Sequence, residues 1–327
     1  MPEKSKMSAT ELGSLWMTYQ KKTMILRILE YFIAKSDDQS AKELMTGLYE
    51  KLHPMVIEAK TLLEQDGAAT PIGFTKEDVN LDAPQLFENG FDIMFCRVLK
   101  EISMGMYVLH MTLSYREDIV MYYKRLTDLT QTYYNLFTQY LLEKHILPCP
   151  NFTNMPKSVG FVTDTSYMKG TNLFGQKRSI NIVEFGLMHH SIETNVTGMQ
   201  LMRGYAQCAN DEDVKKHFIK GQELSKEILK DTTEILLQNN IQPPATPGGT
   251  VTNSTMAPFS EKLMMYSTYL LCGFSIGGQG FSSAFTLRND MILRSGLFAK
   301  SVYDFTMEGV KLMMSKGLLE EPPEMDL

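Results

Sequence analysis

The sequence predicts an all-α protein built from two tandem four-helix bundles. Apolar residues recur at three- and four-residue steps, as along Leu12, Leu15, Trp16, Tyr19, Leu26, Leu29 and Ile33, which gives a helix one dry face. The chain also matches itself when slid by 172 to 174 residues: Glu11 falls on Glu184, Ala34 on Ala206, Gly47 on Gly221, Ala83-Pro84 on Ala257-Pro258, and Arg116-x-Asp118 on Arg288-x-Asp290. Such an offset, held over a whole chain, reads as duplication of one unit. It sets a first bundle at 1–150, an ordered connector at 151–178 and a second bundle at 179–327. A long polar loop stands at the same place in each copy.

Each element follows from local chemistry. Ser8-x-x-Glu11 is a capping box that opens the first helix, and Asn181-x-x-Glu184 repeats it in copy two. Ser40-x-x-Glu43 opens a second helix that runs to about Gln65, with a kink expected at Pro54. Asp82-Ala83-Pro84 opens the third, because proline is tolerated in a first turn. After a break near Ser114-Tyr115 the fourth carries "DIVMYYKRLTDLTQTYYNLFTQYLLEKH". Helices two and three are joined by "DGAATPIGFTKEDVNLDAP", which is too long for a hairpin but long enough to run the length of a bundle. That is the one-long-crossover topology of ferritin-like bundles, and copy two has "NNIQPPATPGGTVTNSTMAP" in the same place. Phe152, Phe161, Tyr167 and Phe174 are expected to pin the connector.

Composition excludes several partners. A net charge of -6, from 32 basic and 38 acidic residues without a basic block, offers no footprint for nucleic acid or an anionic membrane. The polar start, "MPEKSKMSATELGS", lacks the apolar run of a secretory signal, so a cytoplasmic protein is expected. Cys96, Cys149, Cys208 and Cys272 are scattered, which points to buried free thiols rather than zinc or disulfides. The uncharged stretch from Leu263 to Leu287 is long enough to cross a bilayer. Its glycines, hydroxyls and Gln279 favour a buried bundle helix, and no membrane span is expected.

Candidate sites are few. Glu50-x-x-His53 has the spacing by which di-iron carboxylate bundles hold a metal. A complete centre needs a second such pair, and the fourth helix offers only Glu117-x-x-Val120 and Asp128-x-x-Gln131. In copy two Leu224 and Glu227 fall opposite Glu50 and His53, and Glu308 is followed by Lys311. No metal, cofactor or catalytic residue is therefore assigned, with Glu50 and His53 kept as weak metal candidates. Arg116, Asp118, Arg288 and Asp290 are structural polar candidates: the acids suit a helix N-terminus, and the arginines are expected to be buried on acids or helix-end carbonyls. Gly273, Gly277 and Gly280 share one helix face and predict close packing of a neighbouring helix, tighter than at Gly105 of copy one.

The segments "TELGSLWMTYQ" at 10–20, "PIGFTKEDVNLDAPQLF" at 71–87, "GQKRSINIVEF" at 175–185 and "APFSEKLMM" at 257–265 resemble the tandem-repeat proteins of spore-forming bacilli that are classed as a domain of unknown function. Members are often labelled candidate spore coat proteins and are similar in fold to coat protein F. The resemblance covers nearly the whole chain. It departs at Ser179, where the family often has proline, which touches a cap only. It implies ferritin-like bundles and a non-enzymatic structural or interaction protein associated with sporulation or the spore coat, with protein partners or self-association. The alternative is a metal-carboxylate or small-ligand protein that uses a bundle interior.

Overall fold

A computed structural model describes residues 6–88, 90–147, 149–170, 178–244 and 251–325. Among them run eight α-helices, α1 (Ala9–Lys35), α2 (Gln39–Gln65), α3 (Phe91–Thr112), α4 (Glu117–Glu143), α5 (Ile182–Cys208), α6 (Glu212–Gln238), α7 (Glu261–Phe285) and α8 (Asn289–Ser315), and no strand. In each repeat two helical hairpins, α1/α2 with α3/α4 and α5/α6 with α7/α8, pack together. None of these helices is long and apolar enough to cross a membrane.

Both predicted capping boxes are present, at Ser8/Glu11 and at Asn181/Glu184. Two expectations about boundaries fail. α2 is capped by Asp38, which accepts from Ala41 N, and not by Ser40; it then continues through Pro54, which sits on an exposed face. α3 begins only at Phe91, after a left-handed Gly90. Asp82-Ala83-Pro84 is instead crossover, because Tyr31 captures it: its hydroxyl donates to Pro84 O at 2.7 Å and accepts from Leu86 N at 2.9 Å. In the connector, Phe152 and Phe161 are 97% and 92% exposed, so they pin nothing. Tyr167 alone is held there, under the Arg178 guanidinium at 4.1 Å, while Phe174 lies outside the described residues.

The crossovers are where the repeats meet. Val79 pairs with Phe259 and Val251 with Phe87 as isolated antiparallel bridges. A shift of 172 residues turns Val79 into Val251 and Phe87 into Phe259, so one bridge is the other viewed from the opposite repeat. The backbone bonds obey the same rule: Asn80 N donates to Pro258 O at 2.8 Å and Thr252 N to Leu86 O at 2.9 Å. This reciprocity marks an isologous two-fold contact, here inside one chain. Phe259 stands on the joint, with its ring 5.2 Å from that of Tyr31, 6.4 Å from Phe32 and 6.5 Å from Tyr205. One core cluster consequently runs through both repeats.

Candidate functional site

Three polar or hollow features stand out, and the repeat symmetry relates them. The first is a clamp at the end of each bundle. Glu11 Oε1 accepts from the Tyr115 and Arg116 amides at 2.8 and 2.7 Å, which ties the start of α1 to the start of α4. The Arg116 guanidinium forks onto Asp118 at 2.7 and 3.1 Å and reaches Asp66 at the end of α2 at 2.6 Å. Burial pushes the Glu11 carboxyl up, but bonds from Ser8, Arg116 and Tyr115 outweigh it and hold the group below its ordinary range. In the second repeat Glu184 accepts from the Leu287 and Arg288 amides, while Arg288 forks onto Asp290 at 3.0 and 2.7 Å. There Arg178 adds a second bidentate pair on Glu184, and the place of Asp66 is taken by neutral Asn239. The four sequence-selected residues Arg116, Asp118, Arg288 and Asp290 thus fall in two clamps that close helix ends.

The second feature is the interior of the first repeat. Lys21, Lys22 and Lys100 are each at most 1% exposed. The Nζ atoms of Lys21 and Lys22 lie 3.9 and 4.5 Å from the Tyr107 ring centroid. Lys21 Nζ also reaches Met106 Sδ at 3.4 Å, whereas those of Lys22 and Lys100 have no hydrogen-bond partner. Burial, then repulsion from Lys100, pulls the Lys21 and Lys22 amines well down, and burial brings Lys100 to about 8. Amines without a buried acid make this interior a poor host for a divalent cation.

The third feature is a partly open cavity of about 120 Å³, lined by α5, α6, α7 and α8 of the second repeat and by Val98 of α3. The matched lengths of α1 and α5, and of α2 and α6, fix an offset of 173 residues. α3 and α7 match at 172, the offset of the crossover before them and of the Arg-x-Asp after them; buried Tyr107 then falls on buried Gln279. In this register the cavity is lined where the first repeat has larger groups: Thr194 for Lys21, Asn195 for Lys22, Gly221 for Leu48, Ser225 for Leu52, Gly278 for Met106 and Gln279 for Tyr107. Cys272, in place of Lys100, also lines it, and burial pushes its thiol up to about 12, so it stays protonated.

The remaining candidates do not converge. Glu50 and His53 lie exposed on α2, with His53 stacked on Tyr49 at 5.9 Å. At an offset of 173 their counterparts are Glu223 and Lys226 rather than Leu224 and Glu227. Among the described residues no group of three or more His, Cys, Asp or Glu is arranged to hold a metal ion. The close packing expected at Gly273, Gly277 and Gly280 is absent: all three face outward, and a Cβ at any of them would meet nothing within 4 Å. The nearer approach is at Gly105 of the first repeat, where a Cβ would stand 3.6 Å from Phe274 of the second. The uncharged helix turns Leu263, Met264, Ser267, Thr268 and Gln279, not these three glycines, into the bundle.

A family model described as a protein of unknown function, DUF3231, matches the chain twice, over residues 1–159 and 168–326. The chain belongs to this family. In DUF3231 terms each repeat is one copy of the family unit, and the clamps occupy the same place in both copies. No curated protein matches the chain. A crystal structure of a candidate spore coat protein from Bacillus halodurans C-125 is similar at 17% identity and a TM-score of 0.42, over 46% of this chain and 97% of that one.

Reading the chain residue by residue missed the cavity, the buried lysines and the acids Glu11 and Glu184 as clamp centres. The first two had a signal. Aligning the DUF3231 copies by side-chain size, rather than by Gly and Pro punctuation, exposes the run of small-for-large replacements.

Proposed function

We propose that the protein is a non-enzymatic structural and interaction protein of ferritin-like architecture with a spore-associated role. One observation carries this reading. The carboxylates and arginines that converge in each bundle, Glu11 with Arg116 and Glu184 with Arg288, are bound to helix ends and to each other; the buried amines of Lys21 and Lys22 lie against the Tyr107 ring, and the cavity lining is uncharged apart from His190, which pairs with Glu101. Catalysis by acid, base or nucleophile needs such groups aimed at a bound substrate. The ferritin-like reading is supported by the paired hairpins and the long crossovers from Gln65 to Phe91 and from Gln238 to Glu261. The spore setting is supported by the sequence resemblance. A fluorescent fusion followed through sporulation, with extraction of the coat layer, tests it: signal in the forming spore and recovery with the coat are expected. Signal confined to vegetative cells would overturn the spore role.

The metal-carboxylate alternative meets Lys21, Lys22 and Lys100 at the centre of the first bundle. Elemental analysis of native protein is expected to find no stoichiometric iron, manganese or zinc. Two ions per bundle would restore that alternative.

A further inference from the structure

Glu184, near the start of α5, is bonded to the Leu287 and Arg288 amides just past α7, so these helices run antiparallel with those ends together. The cavity lining extends along α5 from Leu187 to Met202, and along α7 from Thr268 to Ser282. At 1.5 Å per residue each is roughly 21 to 22 Å long. A volume of about 120 Å³ spread along that length is narrow. Engineered apolar cavities of about 150 Å³ take up benzene, so the space suits a small organic molecule, and its shape suits a chain better than a ring.

The lining also has a direction. Toward the clamp end it presents Ser191, Asn195, Gln279 and Ser282 beside Leu187; toward the other end it presents Met202 and Phe305, with the Thr268 hydroxyl donating to Met264 O at 2.9 Å. Gln279 is 7% exposed and makes no hydrogen bond, whereas Asn195 is held by Ser191 O at 2.8 Å. With no protein partner, its carboxamide is left to hydrogen-bond whatever occupies the space, a water or the head of a ligand. No carboxylate or ammonium lines the space, and His190 is engaged by Glu101. An ionic head would therefore enter without a counter-charge.

We propose that the interior of the second repeat binds an uncharged small molecule with an unbranched alkyl tail toward Met202 and Phe305 and a hydrogen-bonding head, such as a hydroxyl or carboxamide, on Gln279.

The full chain titrated calorimetrically with 1-octanol, octanamide and octanoate tests this. Saturable one-site binding of both neutral probes is expected, with octanoate at least tenfold weaker. Ser225→Leu and Gly278→Met restore the first repeat's Leu52 and Met106 and should each lower neutral-probe affinity at least tenfold without lowering the thermal midpoint. Gln279→Leu should weaken octanamide at least fivefold. Should Ser225→Leu fold poorly, Gly278→Met decides, because a Cβ there meets nothing within 4 Å. The proposal is overturned by the absence of saturable binding of the neutral probes, which leaves a cavity for water only. Binding undiminished in Gly278→Met, or octanoate bound as tightly as octanol, overturns it equally.

Discussion

Where α1, α2 and α3 meet, the first repeat places Lys21, Lys22, Leu48, Leu52, Lys100 and Tyr107; the second, at the same positions, places Thr194, Asn195, Gly221, Ser225, Cys272 and Gln279. The first interior is filled and the second is hollow. The joint between them keeps its reciprocity, as the Val79–Phe259 and Val251–Phe87 bridges show. Duplication thus leaves two-fold contacts intact while the interiors diverge. A solid bundle tied to a hollow one through a shared core can supply rigidity that the hollow one lacks. The clamps differ in the same sense. Repeat one sets three acids around Arg116, while repeat two balances Glu184 and Asp290 with Arg178 and Arg288.

The largest effect separating the interiors comes from truncating one matched pair. Leu52 is fully buried, so Leu52→Ala should destabilise by about 2–5 kcal/mol through lost transfer energy plus a new cavity. Ser225→Ala, at the matched position beside existing space, should change stability by less than about 0.5 kcal/mol. Urea midpoints with unchanged slope measure both. Equal losses would mean that the two interiors are packed alike.

The clamps come next. Arg288 is 1% exposed with Asp290 at 8%, whereas Asp66 and Asp118 around Arg116 are 17% and 34% exposed. Removing one partner strands the other buried charge. Arg288→Met should then lose about 2–4 kcal/mol, and Arg116→Met about half of that because water reaches its acids. A larger loss at Arg116 would break the ranking, and an unchanged midpoint at Arg288 would reopen a ligand role for that arginine.

The buried amines give the first repeat a pH dependence that the second, with Cys272 in place of Lys100, lacks. Burial lowers Lys100 from 10.5 to about 8, so between those values the unfolded chain binds the proton and the folded chain does not. Stability therefore rises with pH across that window and falls as pH drops toward 8. Lys21 and Lys22, also lowered by burial, act in the same direction. From pH 8 to 9.5 wild type should gain about 1–2 kcal/mol more than Lys100→Met, the part that Lys100 itself supplies. Parallel curves for the two proteins would show that Lys100 is solvated in solution.

Much of the fold was legible because it rests on local rules. The capping boxes at Ser8 and Asn181, the helical stripe of α1 and the 172-residue repeat are all written in neighbouring residues or in self-comparison. The start of α3 was not, because Tyr31 captures Pro84 and Leu86 across the bundle, and a long-range bond overrides a proline signal. The clamp was half legible. Arg-x-Asp and the capping glutamate were each visible, but that Glu11 joins Arg116 depends on how the helices close. The connector failed because aromatic residues predict burial only when something lies over them, and nothing covers Phe152 or Phe161.

The glycines give the smallest and sharpest contrast. Gly277 faces open space on α7, so Gly277→Ala should gain up to about 1 kcal/mol from helix propensity alone. Gly221 is different: a Cβ there would come within 2.6 Å of Phe305 and 3.2 Å of Met202, at the apolar end of the cavity. The Phe305 ring is stacked on His217 at 4.1 Å, which limits its retreat on that side. Gly221→Ala gains the same propensity but must push that ring, and the crowding should leave a net loss of about 1 kcal/mol. Its counterpart in the first repeat is Leu48, fully buried, so the position itself tolerates a large side chain when the neighbours are built for it. Thermal midpoints of the two single variants therefore move in opposite directions if Met202 and Phe305 are packed onto Gly221. If both rise, the wall of the cavity yields to a methyl group, and the hollow interior of the second repeat is softer than its side-chain packing implies.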